Sequence, residues 1–373
     1  MLARGETVIQ LMERLAPKHF AEPDDKIGLQ VGSIRKPVSK VLIALDVTQQ
    51  VVAEAVSMGA ELIIAHHAVI YRPLAHLQTD TPAGALAAEL LRRDIAVYVA
   101  HTNLDSAEGG MNDWMADALS LSQEDRTVLR EAHTDKLYKL VVFVPVDHQT
   151  AVRNAMFAAG AGWIGNYSHC SFNIEGTGTF LPREGSDPYI GRQGKLETVT
   201  EVRIETVVPQ SALKAVVAAM MKAHPYEEVA YDVYPMDLKG RTFGLGRVGK
   251  LALEESLDEF AERVKRAFDV PFVRVVGPGD KRIRKVAVLG GSGSRFVHHA
   301  IRAGADVLVT GDIDYHTAQD AEAAGICLVD PGHNAEKIMK GKVAEWLQQQ
   351  LAEKGYSTEV VASQVNTEPF RLR

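Results

Sequence analysis

Cysteine is nearly absent from this chain of 373 residues. The only two, Cys170 and Cys327, lie far apart and form no C-x-x-C pair. A disulfide framework and a thiolate zinc site are thereby excluded. Long apolar runs are missing as well: no stretch approaches the ~20 apolar residues that span a bilayer. The opening "MLARGETVIQLMERLAP" reads as an amphipathic helix carrying acidic residues, not as a signal peptide. Basic runs are absent too. Acidic residues outnumber basic ones, 48 to 41, for a net charge of -7, so the electrostatic footprint of a nucleic-acid binder is missing. Neither a G-x-S-x-G elbow nor H-E-x-x-H occurs. The expectation is a cytoplasmic globular protein with no membrane partner and no nucleic-acid partner. Its length suggests about two or three domains.

What is present is an alternation of strand-like and helical segments. "KVLIALDV" (40–47) reads as a strand, "TQQVVAEAVSMG" (48–59) as a helix with a glycine stop, and "ELIIAHH" (61–67) as a strand. A helix at 82–93, the strand "IAVYVAH" (95–101) and a further helix from about Asn112 follow. Such alternation implies βαβ units and a parallel sheet. The pattern recurs late: residues 40–67 and 285–312 align without a gap, and "MGAELIIA" matches "AGADVLVT". His66 and His67 then fall opposite Gly311 and Asp312. Two such units are too few for a solenoid and read as pseudo-symmetric halves of one α/β domain with a mostly parallel sheet. Between them the order β-α-β-β-α-β suggests a ferredoxin-like α+β insert, with "LPREGSDPYIGRQGK" as a Gly/Pro-rich excursion. The expected organisation is a discontinuous domain, 1–130 plus 281–373, interrupted by an insert at 131–280.

In an open parallel sheet, ligands gather outside the carboxyl ends of the strands. His66 and His67 follow one strand; His101 and Asp105 follow the next; Asp312 follows "ADVLV"; His333 follows "ICLVDPG", with Glu336 beyond it. Imidazoles and carboxylates together suit Zn²⁺, Mn²⁺ or Fe²⁺. Adjacent side chains in extended backbone point apart, so His66 and His67 fit two ions better than one. A carboxylate such as Glu336 has two oxygens with which to bridge them, and the i to i+3 spacing from His333 puts both on one face of a nascent helix. The reading is a two-metal centre of His66, His67, Asp105, His333 and Glu336, with His101 and Asp312 as orienting or catalytic partners. His316 fits either role; His298 and His299 read as surface or packing residues.

Other motifs carry less. "GLGRVG" (244–249) satisfies G-x-G-x-x-G but lies in a strand-like run rather than a strand-to-helix turn, which argues against dinucleotide binding. "LGGSGSRF" (289–296) fits an anion-holding loop and close chain packing equally well. His224, Glu227 and Glu228 in "AHPYEEVAYDVYP" read as a capped, solvated helix end.

"DKIGLQVG" (25–32), "AHHAVIY" (65–71), "AHTNLD" (100–105), "VTGDIDYH" (309–316) and "DPGHNAEK" (330–337) together resemble the NIF-three-like dinuclear-metal family, whose members are often labelled GTP cyclohydrolase I type 2 homologues. The resemblance spans nearly the whole chain, and the insert is similar to the CutA/PII-type fold of longer bacterial members. It implies two divalent metals on His66, His67, Asp105, His333 and Glu336, with zinc expected and iron or manganese as alternatives. It also implies a toroidal homohexamer with the sites facing an inner cavity. In some members the last ligand lies four residues after the histidine; here it lies three after. Two functions follow as expectations. One is a metal-dependent hydrolase acting on an unknown small molecule, through purine-ring opening or phosphoester or amide hydrolysis. The other is a non-catalytic metal-bound scaffold or regulator with a ligand-sensing insert.

Overall fold

The computed structural model describes residues 1–371. The chain forms two compact units: residues 1–133 with 243–373, and residues 134–242. The larger unit holds two principal sheets. One has five strands in the order Glu359–Ala362, Lys40–Ala44, Leu62–Ala65, Ala96–Val99, Gly28–Val31. Its first four strands are parallel and its last is antiparallel. The other has six, in the order Arg274–Val276, Cys327–Asp330, Val307–Gly311, Arg282–Ser292, Thr242–Ser256, Thr127–Thr134. Its strands at 282–292, 307–311 and 327–330 are parallel.

Why the strands read as unbroken apolar runs is clear from their two faces. Side chains alternate across a strand. Val41 and Ile43 enter the main core, while Leu42 and Ala44 enter a second cluster with Val51, Val52 and Ala55 of the helix Gln49–Met58. The six-stranded sheet repeats this. Val286 and Val288 face the main core, while Ala287 and Leu289 face a third cluster with Phe296 and Ala300. A parallel sheet covered on both faces has no solvated side, so polar alternation disappears. The main core takes side chains from both sheets and from the helices Met111–Ala118 and Ile338–Glu353, through Met111, Met115, Val343 and Leu347. The two sequence repeats also pair in equivalent register: Val41 opposite Leu62, and Val286 opposite Val307. Local signals agree. Thr48 caps the first repeat's helix by accepting from Val51 N, and Gly59 ends it at φ 70°.

The smaller unit is a four-stranded antiparallel sheet in the order Tyr231–Pro235, Leu137–Pro145, Glu197–Pro209, Ser171–Phe180. The helices Gln149–Ala158 and Gln210–Ala223 cover one face, packing Val152, Met156, Val216 and Met220 on Leu140, Val142, Val144 and Ile204.

The insert therefore ends near 242, not 280. Thr242–Ser256 pairs antiparallel with Arg282–Ser292, Val248 opposite Ala287. Leu257, Phe260 and Val264 of the next helix sink into the main core, and Arg274–Val276 pairs with Cys327–Asp330. These residues belong to the larger unit because their partners are far along the chain, not local. Among the described residues no helix is long and apolar enough to cross a membrane.

Candidate metal centre

Both sheets end their parallel strands in polar residues. His66 and His67 follow Leu62–Ala65, the helix Thr102–Ser106 follows the strand before His101, and His333 follows Cys327–Asp330. The five residues singled out in the sequence do meet. His66 Nε2 lies 3.6 Å from Asp105 Oδ1 and 3.7 Å from Glu336 Oε1. His67 Nε2 lies 3.1 Å from Glu336 Oε2, and His333 Nε2 lies 3.3 Å from the same oxygen. Two donor sets capable of holding a cation thus share one carboxylate: His66, Asp105 and Glu336 on one side, His67, His333 and Glu336 on the other. His101 groups with His66 and His67 as a third such set.

The three-residue spacing from His333 to Glu336 has a local cause. The segment His333–Lys337 is a 3-10 helix, in which residues three apart lie one above the other. Two of the three glycines of "LGGSGSRF" are explained by the same carboxylate, and the third, Gly293, by Thr310, whose Oγ1 would stand 2.0 Å from a Cβ there. A Cβ at Gly290 or Gly291 would stand 3.0 or 2.9 Å from Glu336 Oε1, and Gly291 has φ 64°. Close packing accounts for Gly290 and Gly291. Gly291→Ala, strained in backbone and crowding Glu336, is expected to lower metal content well below wild type, as elemental analysis would register.

Hydrogen bonding fixes which ring nitrogens face inward. His66 Nδ1 donates to the carbonyl of Ala100 at 2.9 Å. His67 Nδ1 donates to Asp46 Oδ1 at 2.6 Å, and His333 Nδ1 to Asp312 Oδ2 at 2.6 Å. His101 Nδ1 donates to Asp25 Oδ1 at 2.8 Å. With each Nδ1 proton committed, Nε2 is the nitrogen turned inward, and it presents a lone pair once its own proton leaves. Among the described residues, His66 Nε2 and Asp105 Oδ1 are buried without a hydrogen-bond partner. His67 Nε2 and His333 Nε2 face one another at 3.3 Å. Buried acceptors aimed at each other are costly unless something positive lies between them. A histidine–carboxylate set for divalent first-row ions fits that requirement.

The electrostatics agree. Burial opposes ionisation of Glu336, but the charge of His66 and the hydrogen bonds of His333 and His67 hold it well below the usual carboxylate range. Burial pushes Asp105 up to about 6, with the charge of His66 pulling against it. Burial disfavours the imidazolium of His67, yet Asp46 and Glu336 raise it to about 10. Glu336 foremost raises His333 to about 9. A cation binding there would have to displace the protons that these imidazoles hold strongly.

Asp312 is thus committed to His333 and does not stand free as a base. Asp46 and Asp25 were missed in the sequence. Asp46 ends "KVLIALD" just as the histidines end their strand, and that strand-end position was the available signal. Asp25 lies in the irregular turn before Gly28, where no periodicity marks it. Removing an orienting carboxylate costs ~10–100-fold in metal affinity. Asp46→Ala is expected to weaken metal binding by that amount, read by competition with a chelating dye. His316 is exposed on the helix Tyr315–Ala323 and joins none of the three sets. His298 is exposed and His299 half-buried, on the helix Val297–Arg302. His224 is buried rather than solvated, 2.9 Å from the carbonyl of Phe143.

Fold and site together define an α/β protein with a histidine–carboxylate centre at the strand ends. The chain belongs to the Duf34/NIF3 (NGG1p interacting factor 3) family, whose model matches residues 3–369. It is 55% identical over 369 residues to a Halalkalibacterium halodurans protein described as a GTP cyclohydrolase 1 type 2 homolog, covering 99% of both chains. A Bacillus subtilis protein of the same description is 51% identical, covering 98% of both. The crystal structure of a Bacillus cereus protein related to NIF3 superposes with a TM-score of 0.94 at 51% identity, over 100% of both chains.

Proposed function

We propose that this chain binds two divalent cations and is a metal-dependent hydrolase. The observation that carries this is the sharing of Glu336: one oxygen faces His66 and Asp105, the other His67 and His333. Zinc is the expected ion, iron or manganese the alternatives. When bound, such ions supply Lewis acidity and a nucleophile at neutral pH.

The protein's own residues do the rest. Asp46, Asp312 and the carbonyl of Ala100 hold three imidazoles in one tautomer. His101 is held by Asp25, which also accepts from Thr102 N at 3.1 Å. Burial lowers its proton affinity, but Asp25 and Asp105 outweigh that and raise it. We assign His101 as the residue that accepts the substrate-side proton at Nε2. The name borne by the relatives puts GTP in the substrate panel, beside phosphoesters and amides. Hydrolysis by protein purified without chelator, abolished in His67→Ala, is the expected result. His101→Gln should lower turnover by ~10²–10⁴-fold with metal content intact, whereas loss of metal would place His101 among the ligands with His66 and His67. Metal retention with no turnover on any class would favour the second reading, a metal-bound scaffold or regulator.

The finer architecture follows the same reading. The matched registers of residues 41 with 62 and 286 with 307 support pseudo-symmetric halves. The strand order in the smaller unit, fourth-first-third-second, supports a ferredoxin-like insert. The assembly is taken as a toroidal homohexamer of the 40.7 kDa chain. Trp163, Ile164 and Tyr167, exposed at 57%, 55% and 75%, supply apolar surface that an assembly would cover. Light scattering tests it. Two free cysteines suit a cytoplasmic location.

A further inference from the structure

We infer that the smaller unit carries a binding site for a planar nitrogen heteroaromatic of purine size, recognised through an N–H donor edge by Glu201. The site is a cavity of about 660 Å³ on the face of the four-stranded sheet away from the helices. That volume lies within the ~300–1,000 Å³ typical of small-molecule sites.

The strands explain how the cavity arises. Val202 and Ile204 point into the core beneath the helices, so Glu201 and Arg203 point to the other face. Register puts Gly176 opposite Glu201 and Ile174 opposite Arg203. In "NIEGTGTF", Ile174, Gly176, Gly178 and Phe180 therefore share the cavity face. Two glycines in succession leave the middle of that floor without side chains. A Cβ at Gly176 would meet nothing within 4 Å, and one at Gly178 would stand 2.2 Å from Glu201 Oε2. Glycine inside a strand weakens it and marks places where another molecule approaches closely.

Aromatic rings form the walls: Phe143, Phe180, Tyr189 and Tyr226 line the cavity. Tyr226 stands 6.0 Å from Phe180 and 6.3 Å from Tyr189, ring centre to ring centre. The Gly/Pro-rich excursion supplies Tyr189 and is tied down beside the cavity. Asp187 N donates to Glu227 Oε1 at 2.9 Å, and Tyr189 Oη lies 3.0 Å from His148 Nε2. Glu201 is only 8% exposed. Tyr226 Oη donates to its Oε1 at 3.0 Å, which fixes the carboxylate and leaves Oε2 against the glycine floor. A carboxylate accepts two parallel N–H donors, and flat rings pack well against aromatic side chains. A ring with adjacent N–H and NH₂ groups satisfies both features.

Titration calorimetry on the full-length protein tests this with guanosine, with inosine, which lacks the amino group, and with quinoline, which has no N–H donor. Guanosine is expected to bind more tightly than about 1 mM, inosine more weakly, and quinoline more weakly still. Glu201→Gln should weaken guanosine by ~10–100-fold. Gly176→Val, whose Cβ has open space and whose backbone is not left-handed, should fold, keep wild-type metal content and lose guanosine binding. The last arm separates this cavity from the metal centre. Absence of guanosine binding, equal binding of quinoline, or unchanged affinity in Gly176→Val would each overturn the assignment.

Discussion

Replacing Glu336 with glutamine is expected to strip the chain of both proposed cations at once. Asp105→Asn and His333→Ala should each remove about one. The difference follows from geometry. Asp105 lies 3.6 Å from His66 Nε2 and belongs to one donor set, and His333 belongs to the other. Glu336 alone belongs to both. An amide keeps the shape of the carboxylate but offers one acceptor oxygen and an NH₂ group. At this position it removes the charge that offsets bound cations and turns a donor hydrogen toward one set. Elemental analysis of protein prepared without chelator reads the stoichiometry directly. Orienting residues are expected to behave differently: Asp46→Ala weakens binding without changing the number of sites. If Glu336→Gln retained a full complement of metal, the bridging role would be wrong.

The second large effect concerns stability. Arg247→Ala is expected to lower the unfolding free energy of the larger unit by about 3 kcal/mol, the low end of the cost of breaking a buried ion pair, because Asp113 keeps the Gly109 amide at 2.8 Å and Arg126 Nη1 at 3.3 Å. Arg247 is 5% exposed. Its Nε and Nη2 donate to the two oxygens of Asp113, both at 2.8 Å. Its remaining donors reach the carbonyls of Gly244, Gly246 and Ala107. Every N–H of the guanidinium is used, which only arginine's planar fork allows. Urea titration followed by the fluorescence of Trp114 and Trp346 measures the loss. The pH dependence carries a sign. Burial raises the carboxyl of Asp113, but Arg247 outweighs it and holds the group below its usual value. A depressed folded-state value stabilises the protein above the unfolded value of 3.8, and that contribution fades as pH falls through the folded one. Wild type should therefore lose part of its advantage over Arg247→Ala on acidification below about pH 4.

The same arginine shows what was legible in the sequence. "GLGRVG" is no dinucleotide loop, as its strand-like setting indicates, but nothing local says that its arginine spans to Asp113. Strand-end chemistry was readable because apolar runs stop abruptly at His66, His101 and Asp312, and carboxyl ends of parallel strands share an edge. Glu336 was readable through its spacing from His333, although the 3-10 turn that makes three residues the right interval is a tertiary outcome. Asp25 was not, because its partner His101 lies in a segment far along the chain. The insert's far boundary failed for a related reason. The strand Thr242–Ser256 looks like one more short strand of the insert until its pairing with Arg282–Ser292 is known.

The most direct test is an anomalous difference map, collected across the absorption edges of zinc, iron and manganese on crystals grown without chelator. Two peaks about 3.5–4 Å apart are expected on either side of the Glu336 carboxylate, one beside His66 and Asp105, the other beside His67 and His333. A map without peaks there, from protein that carries metal elsewhere, would contradict the two-cation centre.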